Sequence, residues 1–164
     1  ALGSPVGLFL GRLANFINDE RWGRVTDVPW GIIVKSPEAS KVCDELLSPC
    51  VRHASQIYEA ILEGLILFVI LIYLAFKKEM LKHPGFIAGI FFIGYGLSRC
   101  FVELFRQPDE QFQTPSNPLG FFIQIGDYGL TMGQMLSFPM VILGLLMCLT
   151  SMRNRTAWKI LVLS

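Results

Sequence analysis

Charge is scarce in this 164-residue chain: 16% of its residues are Asp, Glu, Lys or Arg, against roughly 25% in an ordinary soluble domain. It has only two histidines and four cysteines, with no CxxC, HExxH or other ligand spacing, and therefore no motif for a metal. The glycine-rich phosphate loop of nucleotide-binding proteins is also missing. There is no repeat and no low-complexity tract. A hydrophobic content of 52% excludes disorder, and the sparse cysteines exclude a disulfide-stapled mini-protein. The formal net charge of +1 carries no information until the charges are placed along the chain, and nothing in it points to nucleic acid.

What is present is apolar length. The chain has 13 Phe and a mean hydropathy of +0.51. Gly129 to Ser151 contains no Asp, Glu, Lys or Arg, enough for the roughly 20 residues that cross about 30 Å of hydrocarbon. Ala60 to Phe76 holds Glu63 as its only charge. Pro84 to Ser98 is uncharged and extends to Phe105 by taking in Arg99 and Glu103. Ala1 to Asn18 is apolar, thinned by Gly3, Gly7 and Gly11 and broken by Arg12. It lacks the basic region and the small-residue cleavage site of a signal peptide. With no initiator Met and no basic flank before it, the chain is expected to be cut from a longer one. The expected fold is an all-α polytopic membrane protein, one membrane domain over 1–164. Its spans fall at about 1–18, 60–76, 84–105 and 129–151.

Loop charges set the expected orientation. Lys77, Lys78 and Lys82 lie in the 77–83 linker, and Arg153, Arg155 and Lys159 lie in the 152–164 tail. Both segments are expected in the cytoplasm. The 106–128 loop carries Asp109, Glu110 and Asp127 and is expected outside, as is the 19–59 loop. Trp22, Trp30, Tyr58 and Tyr128 then fall near the outer interface and Trp158 near the inner one. The 19–59 loop has room for a small subdomain, with a strand pair expected within Val25 to Val34. Cys43 and Cys50 share that loop and form either a disulfide or two thiols, whereas Cys100 and Cys148 read as small core residues. Pro139 is expected to kink the last span, and Gly85 with Gly89 makes a small-xxx-small packing pair.

The remaining feature is charge inside the membrane. On a continuous helix Arg99, Glu103 and Arg106 fall within one narrow stripe. A charge at mid-bilayer costs at least about 2.5–3.5 kcal/mol, so such residues face a cavity or one another. Two readings follow: Glu103 clamps both arginines structurally, or the arginines grip a phosphate or carboxylate while Glu103 orients them. Arg12, three residues before Asn15, brings a third basic group to the same outer side. Such a pocket suits an anionic lipid headgroup. Glu59 and Glu63 end another span on that side, after Arg52, His53, Ser55, Gln56 and Tyr58. Glu59 reads as a solvated span edge. Glu63 lies deeper, facing the polar interior or snorkelling.

Gly11-Arg-Leu-Ala-Asn-Phe-Ile-Asn-Asp-Glu-Arg-Trp-Gly-Arg24 resembles the GRxGNFxNxExxG signature of the bacterial prolipoprotein diacylglyceryl transferase family. Arg52 to Ala60 (RHASQIYEA) resembles its RHPSQLYEA segment, and Arg99 to Asp109 (RCFVELFRQPD) its RFxxEFxRxPD segment. Leu130 to Pro139 (LTMGQMLSFP) is similar to the opening of its last span. The segments come in the family's order across nearly the whole chain. Ala14 stands where the pattern has Gly, Asp19 where Gly is common, and Ala54 where it has Pro. The family has about seven spans. The earlier ones, with a Tyr and an HGG-type His tied to activity, have no counterpart among these segments.

The resemblance implies transfer of the diacylglyceryl group of phosphatidylglycerol to the lipobox cysteine thiol of a preprolipoprotein, in the bacterial inner membrane, with no metal or organic cofactor. It implies that Arg12 and Arg99 hold the headgroup phosphate with Asn15, and that Glu20 and Glu103 orient them. Gly23 would allow close backbone approach, and Arg106 joins the substrate-binding set. His53 is either a proton acceptor or a structural hydrogen-bonding group, the base otherwise belonging to the earlier spans. The alternative expectation is a non-catalytic membrane protein that binds an anionic lipid or a partner. A transporter fragment is a distant third.

Overall fold

Apolar runs of helical length dominate the sequence, and helices dominate the fold. The computed structural model describes residues 1–34, 50–107, 110–112, 114, 117, 120–125 and 128–163, with side chains 110, 125, 128 and 154–163 left aside. Helix α1 is Ser4–Ile17, with Pro5 in its first turn, where the missing amide costs nothing. Helix α2 is Ser55–Lys77, α3 is Phe86–Val102 and α4 is Met132–Leu163. α2 and the Met132–Arg153 part of α4 are long and apolar enough to cross a membrane, and α3 is apolar but shorter. Large apolar side chains point outward along them, among them Val69, Phe76, Leu97, Ile142 and Leu149.

The helices run up and down, so that the end of α1, the start of α2, the end of α3 and the start of α4 share one end of the molecule. Lys77, the last residue of α2, and the linker with Lys78 and Lys82 lie at the other. α3 packs most extensively on α4, and α1 packs on the first half of α2. Both crossings are made by glycine. A Cβ on Gly64 would lie 2.6 Å from Phe9 Cβ, and one on Gly89 would lie 2.7 Å from the Gly144 carbonyl. Gly3, Gly7 and Gly11 have nothing within 4 Å of where a side chain would begin. Of the expected Gly85–Gly89 pair, only Gly89 packs a helix. Gly85 instead begins α3 at φ +85°, a conformation open to glycine.

The all-helical expectation needs correction at the charged end. There β1 (Ile32–Ile33) pairs antiparallel with β2 (Val51–Arg52), and β3 (Ile123–Ile125) pairs with β4 (Tyr128–Leu130). Part of the Val25–Val34 segment is strand, but its partner lies across the loop rather than within the segment, and Val25 also bridges to Arg52. The last helix starts at Met132 and not at Gly129, because Gly129 belongs to β4. Its start is a capping box: Gln134 N donates to Thr131 Oγ1 at 3.3 Å and Thr131 N donates to Gln134 Oε1 at 3.2 Å. α4 runs through Pro139 without interruption. Cys50 is disulfide-bonded; Cys43 lies outside the described residues, as do Asp109, Asp127 and the side chains of Arg155, Trp158 and Lys159. Cys100 and Cys148 are free thiols.

The two departures near the family's glycine positions and the one at its proline have local accounts. Ala14 sits inside α1, where glycine has no advantage. Asp19 has φ +57°, which glycine adopts freely and Asp tolerates better than most residues. Ala54 has φ −76° ahead of α2, and its amide makes no hydrogen bond among the described residues. Proline fits there. Ala54→Pro is expected to stabilise the fold by about 0.4–1 kcal/mol through the unfolded chain, read as a rise in thermal midpoint in detergent. A fall in midpoint would contradict this.

Candidate functional site

The charged end is assembled around α2. Its first turns are polar, and the loop after α1 accounts for them. Ser55 Oγ donates to the Arg21 carbonyl at 3.1 Å and Gln56 Nε2 to the Glu20 carbonyl at 2.6 Å. With those groups satisfied by backbone, α2 begins at Ser55 rather than at the expected Ala60. Glu59 and Glu63 become buried helix residues, 3% and 0% exposed. Residues 60–66 wind with the wider π-type bonding, a distortion common at functional sites.

Glu59 is therefore no solvated span edge. Its Oε1 accepts from Arg99 Nη1 at 2.8 Å, and its Oε2 lies 2.8 Å from Arg12 Nε, though out of line for a hydrogen bond. Arg12 Nη2 donates to Glu63 Oε2 at 3.3 Å. The other oxygen of Glu63 has no hydrogen-bond partner among the described residues. Both arginines are 16% exposed. Helices α1, α2 and α3 thus meet on one carboxylate that joins two guanidinium groups.

Glu103, the expected partner, lies farther from the arginines than Glu59 does. Its Oε2 lies 3.7 Å from Arg99 Nη2 and 3.8 Å from Arg106 Nη1. The expected single helical stripe is corrected as well, since α3 ends at Val102. Arg106 sits in extended backbone bridged to Gly23, with its carbonyl accepting from Arg24 Nε at 3.0 Å.

Gly23 lies in a crowded spot: a Cβ there would come within 2.7 Å of both the His53 and Phe105 carbonyls. The close approach is to the protein's own backbone. Arg52, fully buried, donates to the Gly23 carbonyl at 3.0 Å and to Gln107 Oε1 at 3.2 Å, with its guanidinium 5.9 Å from the Trp22 ring centre. Burial lowers the pKa of Arg52, and of Arg24, where Glu103 partly restores it. His53 Nδ1 lies 3.2 Å from the Tyr58 hydroxyl, which accepts from Trp30 Nε1 at 3.0 Å, and the His53 ring packs edgewise on Phe105.

Of the sequence-derived candidates, the fold brings together Arg12, Arg99, Glu103 and Arg106, and sets Gly23 and His53 in the ribbon beside them. Asn15 contributes its carbonyl to the Glu20 amide. Glu20 is exposed and makes no ion pair among the described residues. The candidate set omitted Glu59, Ser55 and Gln56. Their signal was present, because polar residues directly ahead of an apolar run at helical spacing belong to the helix when something can satisfy them. Two guanidinium groups held in a poorly hydrated place can stabilise developing negative charge without reorganising. Among the described residues no group of His, Cys, Asp and Glu could hold a metal ion.

The family model of prolipoprotein diacylglyceryl transferase matches residues 1–150. The chain is 58% identical over 139 residues to the Phosphatidylglycerol--prolipoprotein diacylglyceryl transferase of Ruegeria pomeroyi, covering 85% of this chain and 47% of the relative. It is 59% identical over 145 residues to that of Roseobacter denitrificans, covering 88% and 49%. Against that of Rhizobium leguminosarum it is 48% identical over 150 residues, covering 92% and 46%. The chain spans about half the length of the curated relatives it matches.

Proposed function

The chain belongs to the prolipoprotein diacylglyceryl transferase family, and on that premise we propose that it carries the headgroup-binding part of an enzyme that transfers diacylglyceryl from phosphatidylglycerol to a lipobox cysteine of a preprolipoprotein. The observation that supports this reading most is the meeting of Arg12 and Arg99 on Glu59. In the reaction the cysteine sulfur attacks the sp3 carbon next to the phosphate ester. A C–S bond forms, the C–O bond to phosphate breaks, glycerol phosphate leaves, and the thiol proton passes to a base. The thiol, of pKa about 8.5, must first become thiolate. The leaving phosphate keeps the electron pair, and fixed guanidinium groups lower that cost.

In this reading Arg12 and Arg99 hold the phosphate with Asn15, Glu59 holds the two arginines at their working separation, and Glu103 spaces Arg99 from Arg106. Gly23 and Glu20 act through the loop after α1, and His53 through its contact with Tyr58. The four helices are read as four spans of the bacterial inner membrane, with the charged end toward the outer leaflet. The outward apolar side chains of α2, α3 and α4 support the reading of these helices as spans.

The test follows labelled diacylglyceryl from phosphatidylglycerol vesicles onto a lipobox peptide, using the full-length protein. Arg12→Ala and Arg99→Ala are each expected to lower turnover on the order of 10²-fold, the scale of losing one electrostatic stabiliser. Turnover that survives both substitutions sinks the phosphate roles. Lipid binding by an unsubstituted protein that shows no transfer would favour the non-catalytic alternative.

A further inference from the structure

The LTMGQ segment that opens α4 carries no charge, yet it lies against the charged cluster. Gly133 is the second residue of α4, enclosed by the Thr131–Gln134 capping box. A Cβ there would lie 2.6 Å from Glu103 Oε2, 2.7 Å from its Cδ and 2.9 Å from its Oε1. The carboxylate therefore occupies the place where a side chain at position 133 would begin. Oε2, the oxygen closest to that spot, is also the one shared between Arg99 and Arg106.

Two physical effects act together here. Glu103 follows the C-terminal end of α3, where the negative end of the helix dipole repels a carboxylate. The amino-terminal end of α4 attracts one. The capping box uses the amides of Thr131 and Gln134 and so pins the first turn of α4 in place. Ser137 Oγ, bonded to the Gly133 carbonyl at 2.7 Å, holds the same turn from the other side. Any side chain at position 133 would have to displace Oε2 to reach an ordinary contact distance.

We propose that Gly133 is a positioning residue: its missing side chain makes the start of α4 the seat of the Glu103 carboxylate, and that seat sets how Arg99 and Arg106 stand relative to the bound headgroup. The proposal rests on the transferase reading above. It is distinct from that reading, because the seat is a property of the fold that can be read without turnover.

The experiment is a double-mutant cycle in the full-length protein with Gly133→Ala and Glu103→Asp, read by phosphatidylglycerol-dependent transfer and by thermal midpoint. Gly133→Ala is expected to lower kcat by tenfold to on the order of 10²-fold, the effect of displacing a catalytic group by about 1 Å. Glu103→Asp shortens the side chain by one methylene and lets the carboxylate withdraw from the new methyl. In the Gly133→Ala background it is expected to recover at least severalfold of kcat and to raise the midpoint, whereas in the native background it lowers both. Wild-type turnover in Gly133→Ala, or losses that multiply in the double variant, overturn the seat. If the unsubstituted protein shows no transfer, the transferase reading fails by itself. The midpoint cycle then decides the seat: recovery by Asp supports it and additive losses overturn it.

Discussion

Glu59→Ala is expected to abolish transfer, with turnover down on the order of 10³-fold, and to destabilise the fold by about 3–5 kcal/mol, the cost of removing one partner from a buried ion pair. Glu59 is 3% exposed and contacts Arg12 and Arg99 at 2.8 Å each. Without it two guanidinium groups stand close together in a place of low dielectric. Glu63, 3.3 Å from Arg12, and Glu103, 3.7 Å from Arg99, remain as partial counterweights. They limit the repulsion but do not restore the bridge between the two helices.

Glu59→Gln separates charge from shape. The amide keeps one acceptor and the side-chain volume, but it turns an NH2 toward one of the arginines. Its loss of stability is expected to be smaller than that of the alanine variant, while the loss in turnover stays large. Thermal midpoints in detergent and the vesicle-to-peptide transfer assay read the two effects. Near-native turnover in Glu59→Ala would remove Glu59 from the site.

Gly144→Val is expected to cost about 3 kcal/mol, near the upper end for overpacking. A Cβ on Gly144 would lie 2.6 Å from the Gly89 carbonyl and 2.9 Å from the Ile93 amide. These are backbone atoms of α3 and cannot rotate away. On the other side, a Cβ on Gly89 would lie 2.6 Å from Cys148 Sγ. Valine therefore forces α3 and α4 apart along their main contact. The displacement reaches the charged end, because Glu103 at the end of α3 rests on the start of α4. A drop in thermal midpoint accompanied by lost turnover is the expected result; an unchanged midpoint would show that the helices do not cross there.

The Gly144 and Glu59 contacts differ in how far local sequence encodes them. Glycines in an apolar run announce close packing, but they do not say which glycine meets which helix. Gly85, Gly89 and Gly144 illustrate this, since only the latter two form the crossing. Glu59 was visible as a polar residue near a span. Its burial depends on Arg12 and Arg99 arriving from two other helices, and no local pattern encodes that.

The same division holds for the secondary structure. Each of the four helices overlaps one of the apolar runs, but the bounds differ: α2 starts at Ser55 and α4 continues to Leu163. α2 starts ahead of its apolar run because the Glu20 and Arg21 carbonyls satisfy its polar first turn. The β1–β2 pairing joins residues on either side of a long loop. Its register sets Ile32 opposite Arg52 and Ile33 opposite Val51, a pairing that no short-range pattern specifies.

By itself the sequence determined that the fold is mostly helical, the resemblance of its motifs and the presence of arginine and glutamate at one end of apolar helices. Those properties depend on composition and on short-range spacing. The tertiary structure decided that Arg12 and Arg99 share Glu59, that α3 stops at Val102 and hands Arg106 to a strand-like bridge, and that Glu103 rests on Gly133. Each of these depends on which buried charge finds a partner once the helices are packed. In a poorly hydrated interior that pairing is set by distances between elements far apart in the chain.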